Sequence, residues 1–105
     1  MGTSEKQSRF DVSEAALAQF CRDHHVRRLA LFGSVLREDF GTGSDIDVLV
    51  EFDPDARVGL FEMARMEREL SRIAGRKVDL RTPAELSRYF RDDVLAKAEV
   101  RYSAG

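Results

Sequence analysis

Residues 45–52, with the sequence DIDVLVEF, place two aspartates at the start of a strongly apolar run. Large and β-branched apolar residues predict a buried strand, and the side chains of a strand alternate between its two faces. Asp45 and Asp47 are therefore expected on the same face, with their backbones roughly 6.5 to 7 Å apart. Two carboxylates about 6 Å apart repel by roughly 3 kcal/mol at an effective dielectric constant near 20, so this pair favours a bound divalent cation.

The rest of the chain predicts helices that alternate with strands. Helices are predicted at residues 13–24, 35–40, 60–73 and 83–98, and strands at residues 26–32, 45–52 and 77–81. Ser13 and Thr82 are predicted N-caps, while Gly33 ends the first strand and Gly75 ends the third helix. A break of the last helix near Asp92 is left open. This order predicts an α/β or α+β fold in which helices pack on a sheet.

Composition limits the classes of protein to which the chain can belong. Its 105 residues predict one folded domain at 13–105 behind a flexible leader at 1–12. Seventeen basic and nineteen acidic residues leave a net charge of −2, which argues against general nucleic-acid binding. No apolar run approaches the roughly 18 residues of a membrane span. The single cysteine, Cys21, excludes an internal disulfide and a zinc knuckle and favours a cytoplasmic location.

A third aspartate and a glycine-serine pair extend the predicted metal site. Asp79 lies between apolar Val78 and Leu80 on a strand that is free to lie beside residues 45–52. Oxygen ligands select hard cations such as Mg²⁺ or Mn²⁺, and Mg²⁺ is usually held by one or two carboxylates together with substrate phosphates. Three carboxylates suffice for two metal ions about 3.5 to 4 Å apart. The acids therefore predict a substrate that carries phosphate.

The Gly33-Ser34 pair predicts the place where that phosphate binds. A sharp turn from a strand into a helix presents free backbone N–H groups, glycine allows a phosphate to approach closely, and the Ser34 hydroxyl adds a donor. The spacing and the lysine of a Walker A loop are absent. Arg37 either reaches the triphosphate or pairs with the neighbouring Glu38 and Asp39.

Several conspicuous side chains have an ordinary structural interpretation. Arg37 or Arg81 could neutralise the acidic pair without any metal. His24 and His25 point about 100° apart on a helix, so packing at a helix end is favoured over metal binding. Met63, Met66 and Leu70 are predicted to lie in the core. A solvated helix face is predicted for Arg65, Glu67, Arg68 and Glu69. Three aromatic residues are predicted either to lie in the core or to bind a partner: Tyr89, Phe90 and Tyr102.

The spacing of these motifs resembles one known superfamily. Gly33-Ser34, ten intervening residues, Asp45-Ile46-Asp47 and a later Val78-Asp79-Leu80 resemble the polymerase-beta-like nucleotidyltransferases. FGSVLRED, GSDIDVLVEF and GRKVDLRT are similar to segments of the minimal nucleotidyltransferases of bacteria and archaea, and the resemblance covers about residues 14–100. Where that family often has Ala-Arg-Gly, this chain has Leu36-Arg37-Glu38, so Arg37 matches and Glu38 departs.

The resemblance implies a fold, a reaction and a partner. The fold is a small mixed sheet flanked by helices, and the reaction uses ATP and Mg²⁺, with two ions expected. Asp45, Asp47 and Asp79 are implied as catalytic metal ligands, and Gly33, Ser34 and Arg37 as phosphate contacts. The implied role is that of an antitoxin that transfers AMP to a tyrosine of a HEPN-type toxin.

Two alternatives to this reading stay open. In the first, the chain keeps a nucleotide cleft and neutralises its partner by steric binding alone. In the second, it modifies a small molecule, as drug-modifying nucleotidyltransferases do. A chain of 105 residues is too short for a separate domain that binds the acceptor. A protein partner is therefore expected to provide the acceptor side, or failing that a second copy of the chain in a homodimer.

Overall fold

The computed structural model describes residues 10–36 and 45–104. In this part of the chain four strands form one sheet in the order β3-β2-β1-β4. The strands are β1 (Val26–Phe32), β2 (Ile46–Phe52), β3 (Val78–Arg81) and β4 (Glu99–Ser103). β1 is antiparallel to β2 and β4, whereas β2 is parallel to β3. The predicted small mixed sheet is confirmed.

Three α-helices and two short 3₁₀ turns accompany the sheet in the described residues. They are α1 (Glu14–Asp23), α2 (Leu60–Ala74) and α3 (Arg91–Lys97), with 3₁₀ turns at Gly33–Leu36 and Pro83–Glu85. Ser13 is the N-cap of α1, because its hydroxyl accepts a hydrogen bond from the Ala16 N–H at 3.1 Å. α2 ends at Gly75, as predicted. No helix in the described ranges is long and apolar enough to cross a membrane.

The core lies where α1 and α2 pack with the central strands. Its fully buried side chains include Phe20, Leu29, Leu31, Ile46, Val48, Val50, Met66, Leu70 and Val78. Cys21 is also buried, and this burial raises the pKa of its thiol to about 12, although the charge of Arg22 acts in the opposite sense. Phe10 is completely buried as well, so the packed region begins earlier than the predicted boundary between leader and domain at residue 13.

The prediction was wrong in the C-terminal quarter of the chain. A helical region was expected over 83–98, with a break near Asp92 left open, but only a 3₁₀ turn forms at its start and α3 begins at Arg91. The chain then enters β4, which was not predicted and which pairs with the edge of β1 left open by β2. Pairing with a distant strand supplies backbone hydrogen bonds that local sequence preference does not reveal.

Two further expectations concern shorter segments. The helix predicted at 35–40 is in part the 3₁₀ turn Gly33–Leu36, and residues 37–40 lie outside the described residues. Tyr89 and Phe90 are not core residues, because they are 85% and 60% exposed, whereas Tyr102 packs against the core.

Candidate active site

Two of the three predicted aspartates meet on neighbouring strands. Asp47 of β2 lies opposite Phe32 of β1 on one side and opposite Asp79 of β3 on the other. Because β2 and β3 are parallel, residues paired in this register place their side chains on the same face of the sheet. Asp45 immediately precedes β2, two residues from Asp47. The acids thus gather at one end of the sheet.

The Gly33–Leu36 turn contacts the start of β2. Gly33 adopts a left-handed backbone conformation with φ of 73°, and a Cβ atom at this position would collide with the carboxylate of Asp47. The Ser34 N–H donates a hydrogen bond to that carboxylate, and the Ser34 hydroxyl donates to the Asp45 carbonyl oxygen at 3.5 Å. Glycine is required at position 33 both for its backbone conformation and for the space that Asp47 occupies.

The environment of Asp47 opposes its negative charge. Burial raises the pKa of Asp47 most strongly, and the nearby charge of Asp79 raises it further, with a smaller contribution from Asp45. The Ser34 N–H and the charge of Arg81 act in the opposite direction without cancelling the increase. Such excess negative charge is what a bound cation relieves, and oxygen-only donors suit a hard divalent ion.

Basic side chains border the other two acids. Lys77 Nζ lies 3.8 Å from Asp45 Oδ2, and an Arg81 guanidinium nitrogen lies 3.1 Å from Asp79 Oδ2. Arg81 is therefore a contact of the acidic group, as one interpretation of the sequence allowed. These pairs are partly exposed and worth only about 0 to 1 kcal/mol each, so a divalent ion would displace them at little cost.

The described residues contain no preassembled cluster of three or more His, Cys, Asp or Glu side chains ready to hold a metal ion. Joint binding of a metal ion would require the carboxylates of Asp45 and Asp79 to turn away from Lys77 and Arg81. Phosphate oxygens would complete the coordination, as is usual for Mg²⁺. Arg37, the remaining predicted phosphate contact, lies outside the described residues.

Two side chains of α2 hold the strand that carries Asp79. The Val78 N–H donates to Ser71 Oγ at 2.9 Å, and the Leu80 N–H donates to Glu67 Oε2 at 2.8 Å. They satisfy donors on the outer edge of β3 and fix its position beside β2. Sequence reasoning placed Glu67 on a solvated face, which was wrong. The available signal was the spacing of four residues between Glu67 and Ser71, which puts both on one side of a helix.

Comparison with known proteins identifies the family. The nucleotidyltransferase domain model matches residues 14–101. The chain belongs to the nucleotidyltransferase family. A candidate protein adenylyltransferase of Methanocaldococcus jannaschii is 35% identical over 75 residues, which cover 71% of this chain and 78% of that protein.

Solved structures of nucleotidyltransferases share the fold. A candidate minimal nucleotidyltransferase is 32% identical with a TM-score of 0.62, and the match covers 81% of this chain and 85% of that one. A complex of a tri-AMPylated HEPN toxin from Shewanella oneidensis with an MNT antitoxin contains a chain with a TM-score of 0.61 and 20% identity, covering 86% of this chain and 69% of that one. The resemblance to minimal nucleotidyltransferases that the motifs indicated is confirmed.

Proposed function

We propose that this nucleotidyltransferase transfers AMP from ATP to a hydroxyl group of a partner protein, with Mg²⁺ bound by Asp45, Asp47 and Asp79. The observation that carries the proposal is the register of Asp47 with Asp79 beside the Gly33 turn. This arrangement joins a carboxylate pair to a turn that phosphate can approach closely. Mn²⁺ has the same ligand preference and would substitute for Mg²⁺.

The proposed step is a phosphoryl substitution. The hydroxyl oxygen of the acceptor attacks the α-phosphorus of ATP, a new O–P bond forms, and the bond from the α-phosphorus to the leaving pyrophosphate breaks. Asp79 accepts the proton of the attacking hydroxyl, while the Ser34 hydroxyl turns from the Asp45 carbonyl oxygen to donate its hydrogen bond to the β- or γ-phosphate. Bound Mg²⁺ would supply neutralisation of the charge that develops on these oxygens.

A HEPN-type toxin is the partner that we propose, and a tyrosine of it the acceptor. Support comes from the similarity to a chain in the solved complex of an AMPylated HEPN toxin with its antitoxin, and from the name of the archaeal relative. A phenolic hydroxyl also suits the mechanism, because its pKa near 10 lets it lose its proton more readily than an aliphatic hydroxyl does. A cytoplasmic location, where ATP is available, is part of the same proposal.

One observation favours a second candidate function. Asp45 and Asp79 each contact a basic residue of the same chain, Lys77 and Arg81, so these two acids are already paired without metal. A chain that keeps these pairs would act as an antitoxin by steric binding of its partner alone. Such a protein would neutralise the toxin without labelling it.

The test is transfer of label from ATP to the partner. The parent, incubated with α-³²P-ATP, Mg²⁺ and a HEPN-type toxin, is expected to label that toxin. The double variant Asp45→Asn, Asp47→Asn should label the partner at least about 100-fold more slowly, because it lacks two of the negative charges that are proposed to bind the metal ion. The matched control is Asp53→Asn, Asp55→Asn, which removes two exposed acids at the same spacing in a turn.

The control should label the partner at the parental rate. A metal-site double variant that labels as fast as the parent would contradict the proposed mechanism. If the parent neutralises the toxin and no label is transferred to the toxin in any of these reactions, the steric function is established instead.

A further inference from the structure

The charged side chains of α2 lie on different sides of the helix. Glu62 and Glu69 bind the two ring nitrogens of His24, and the Glu67 carboxylate accepts a hydrogen bond from the Leu80 N–H of β3. These three acids are therefore held toward α1 on one side of the helix and toward β3 on the other. The arginines of the helix lie on the side between them, which faces solvent.

Three arginines and one phenylalanine share this outer side. At about 100° per residue, four side chains fall within an arc of about 60°, almost opposite the side that α2 buries in the core: Phe61, Arg65, Arg68 and Arg72. Phe61 is 91% exposed, and the three arginines are exposed as well. We call these four side chains the arginine stripe. It extends along about 16 Å of the helix.

The stripe carries positive charge that the rest of the described chain does not neutralise. Arg65 lies 4.0 Å from Glu62, whereas Arg68 and Arg72 have no ion pair or hydrogen bond among the residues that the structure describes. The guanidinium group of arginine binds carboxylates through two parallel N–H donors. The stripe is therefore complementary to a row of carboxylates on another molecule.

These charges favour an acidic protein over two other occupants. A second copy of the chain, docked on the stripe about a two-fold axis, would place arginine against arginine. A nucleic acid would bring its row of phosphates close to the carboxylates of Glu62 and Glu69, and the chain already has a net charge of −2. Arginine beside an exposed aromatic side chain is a composition that recurs at the centres of protein interfaces.

The stripe and the candidate active site lie on opposite faces of the sheet. Val78 and Leu80 are buried in the core, on the face that α2 covers, so Asp79 between them points to the other face. α2 ends at Ala74 and β3 begins at Val78, so the Arg72 end of the stripe lies near the end of the sheet where the acids gather. A protein seated on the stripe leaves the acids uncovered and is able to extend around this end toward them.

We propose that the arginine stripe is the docking surface for an acidic region of the partner protein. The inference rests on the proposed function, because it takes a HEPN-type toxin as that partner. Docking on α2 holds the toxin through charge, and the acceptor hydroxyl reaches Asp79 around the end of the sheet.

Charge reversal at the two unpaired arginines tests the docking surface. Arg68→Glu, Arg72→Glu should bind a HEPN-type toxin at least about tenfold more weakly than the parent, with a difference that shrinks at high salt. The matched control, Arg22→Glu, Arg27→Glu, makes the same change in net charge at exposed positions outside α2 and should bind within about twofold of the parent. Arg68→Lys, Arg72→Lys keeps the charge and should restore most of the affinity.

Transfer kinetics separate docking from chemistry. With α-³²P-ATP and Mg²⁺, Arg68→Glu, Arg72→Glu should need at least about tenfold more toxin for half-maximal labelling. Its rate at saturating toxin should equal that of the parent, because the acids of the active site are unchanged.

The outcomes separate this inference from the function on which it rests. If the charge-reversed variant binds and labels the toxin as the control does, or loses saturating rate without loss of affinity, the stripe is not the docking surface, and the proposed function stands. The same holds if the variant loses only the binding of a single-stranded RNA oligonucleotide. If the parent neither binds nor labels the toxin, the proposed function and the inference both fail.

A second measurement leaves the arginines in place. The photoreactive residue p-benzoylphenylalanine is introduced for Phe61, and in a control for Val100, which is exposed on β4 at the opposite edge of the sheet. Irradiation of the complex should crosslink position 61, and not position 100, to a toxin peptide that contains Asp or Glu. Crosslinking from position 100 alone would overturn the proposal.

Discussion

At the scale of single residues, Gly33 links the backbone turn to the acidic site. Gly33 and Gly75 have nearly the same left-handed φ, 73° and 71°, but only a Cβ at position 33 would meet another group, the carboxylate of Asp47. Alanine at either position costs roughly 1 to 2 kcal/mol of backbone strain. Alanine at position 33 should in addition displace Asp47.

These two glycines form a matched pair of variants. Gly33→Ala and Gly75→Ala should lower the free energy of unfolding by similar amounts near 1 to 2 kcal/mol, with a somewhat larger loss for Gly33→Ala. Only Gly33→Ala should also reduce AMP transfer, by about tenfold or more, measured at a temperature where both variants are folded. Equal transfer by the two variants would show that the position of Asp47 is not held by this contact.

His24 joins the end of α1 to α2 through two carboxylates. Its ring nitrogens lie 2.8 Å from Glu62 Oε2 and 3.0 Å from Glu69 Oε1. Burial acts to lower the pKa of His24, but the hydrogen bonds and charges of Glu69 and Glu62 outweigh it and raise that pKa above its ordinary value. The prediction that this histidine serves helix packing agrees with these contacts, although its partners on α2 were not predicted.

The raised pKa gives stability a defined dependence on pH. The ion pairs contribute fully below the unfolded-state pKa of about 6.5, and their contribution is lost as pH rises through the raised pKa of the folded state. His24→Gln should therefore lower the free energy of unfolding by roughly 1 to 2 kcal/mol at pH 5.5 and by clearly less at pH 9. Denaturant unfolding at both pH values measures this difference.

The neighbouring histidine supplies the control for that experiment. His25 is exposed and has φ of 59°, a conformation that asparagine tolerates, so His25→Asn should show no comparable pH dependence. A gap between parent and His24→Gln that grows toward pH 9 would contradict the assignment of the ion pairs.

At the scale of elements, the edge strand β3 depends on α2 for its outer hydrogen bonds. Loss of the Glu67 and Ser71 acceptors leaves the N–H groups of Leu80 and Val78 without these partners. Glu67→Ala, Ser71→Ala should therefore lower the free energy of unfolding by about 1 to 3 kcal/mol. Amide hydrogen exchange at Val78 and Leu80 should accelerate more than exchange in β1.

Arg68→Ala is the control for that double variant, since Arg68 is an exposed residue of the same helix. It should leave exchange in β3 unchanged. Equal protection of Val78 and Leu80 in the double variant and the parent would show that α2 does not anchor the strand through these side chains.

The elements also show how far sequence predicts this fold. β1, β2 and α2 carry strong apolar patterns, and the bounds predicted for them agree with the structure within one or two residues. β4 was missed because Glu99–Ser103 has only two large apolar residues, Val100 and Tyr102, and owes its conformation to the open edge of β1. Local pattern predicted the edge strand β3 as well as the central strands, and it missed only the strand whose apolar pattern is weak, β4.

At the scale of the whole molecule, the sheet gathers parts that are distant in sequence at one end. The three aspartates could be predicted because acids within apolar strands are conspicuous, and their spacing indicates their face. The contacts of Glu67 with Leu80 and of His24 with α2 could not, because they depend on how helices dock on the sheet. A cavity near Gly33 could not be predicted for the same reason: it lies between the Gly33 turn and α3, which are more than fifty residues apart in the sequence.

The central claim is that Asp45, Asp47 and Asp79 accept a divalent ion together with a triphosphate. Calorimetry of the parent with Mg²⁺ and a non-hydrolysable ATP analogue tests it most directly, with Asp45→Asn, Asp47→Asn and the exposed double variant Asp53→Asn, Asp55→Asn run beside it. The account predicts Mg²⁺ uptake that depends on nucleotide in the parent and the control, and its loss in the metal-site variant. Nucleotide binding that is the same in all three proteins and indifferent to Mg²⁺ would contradict it.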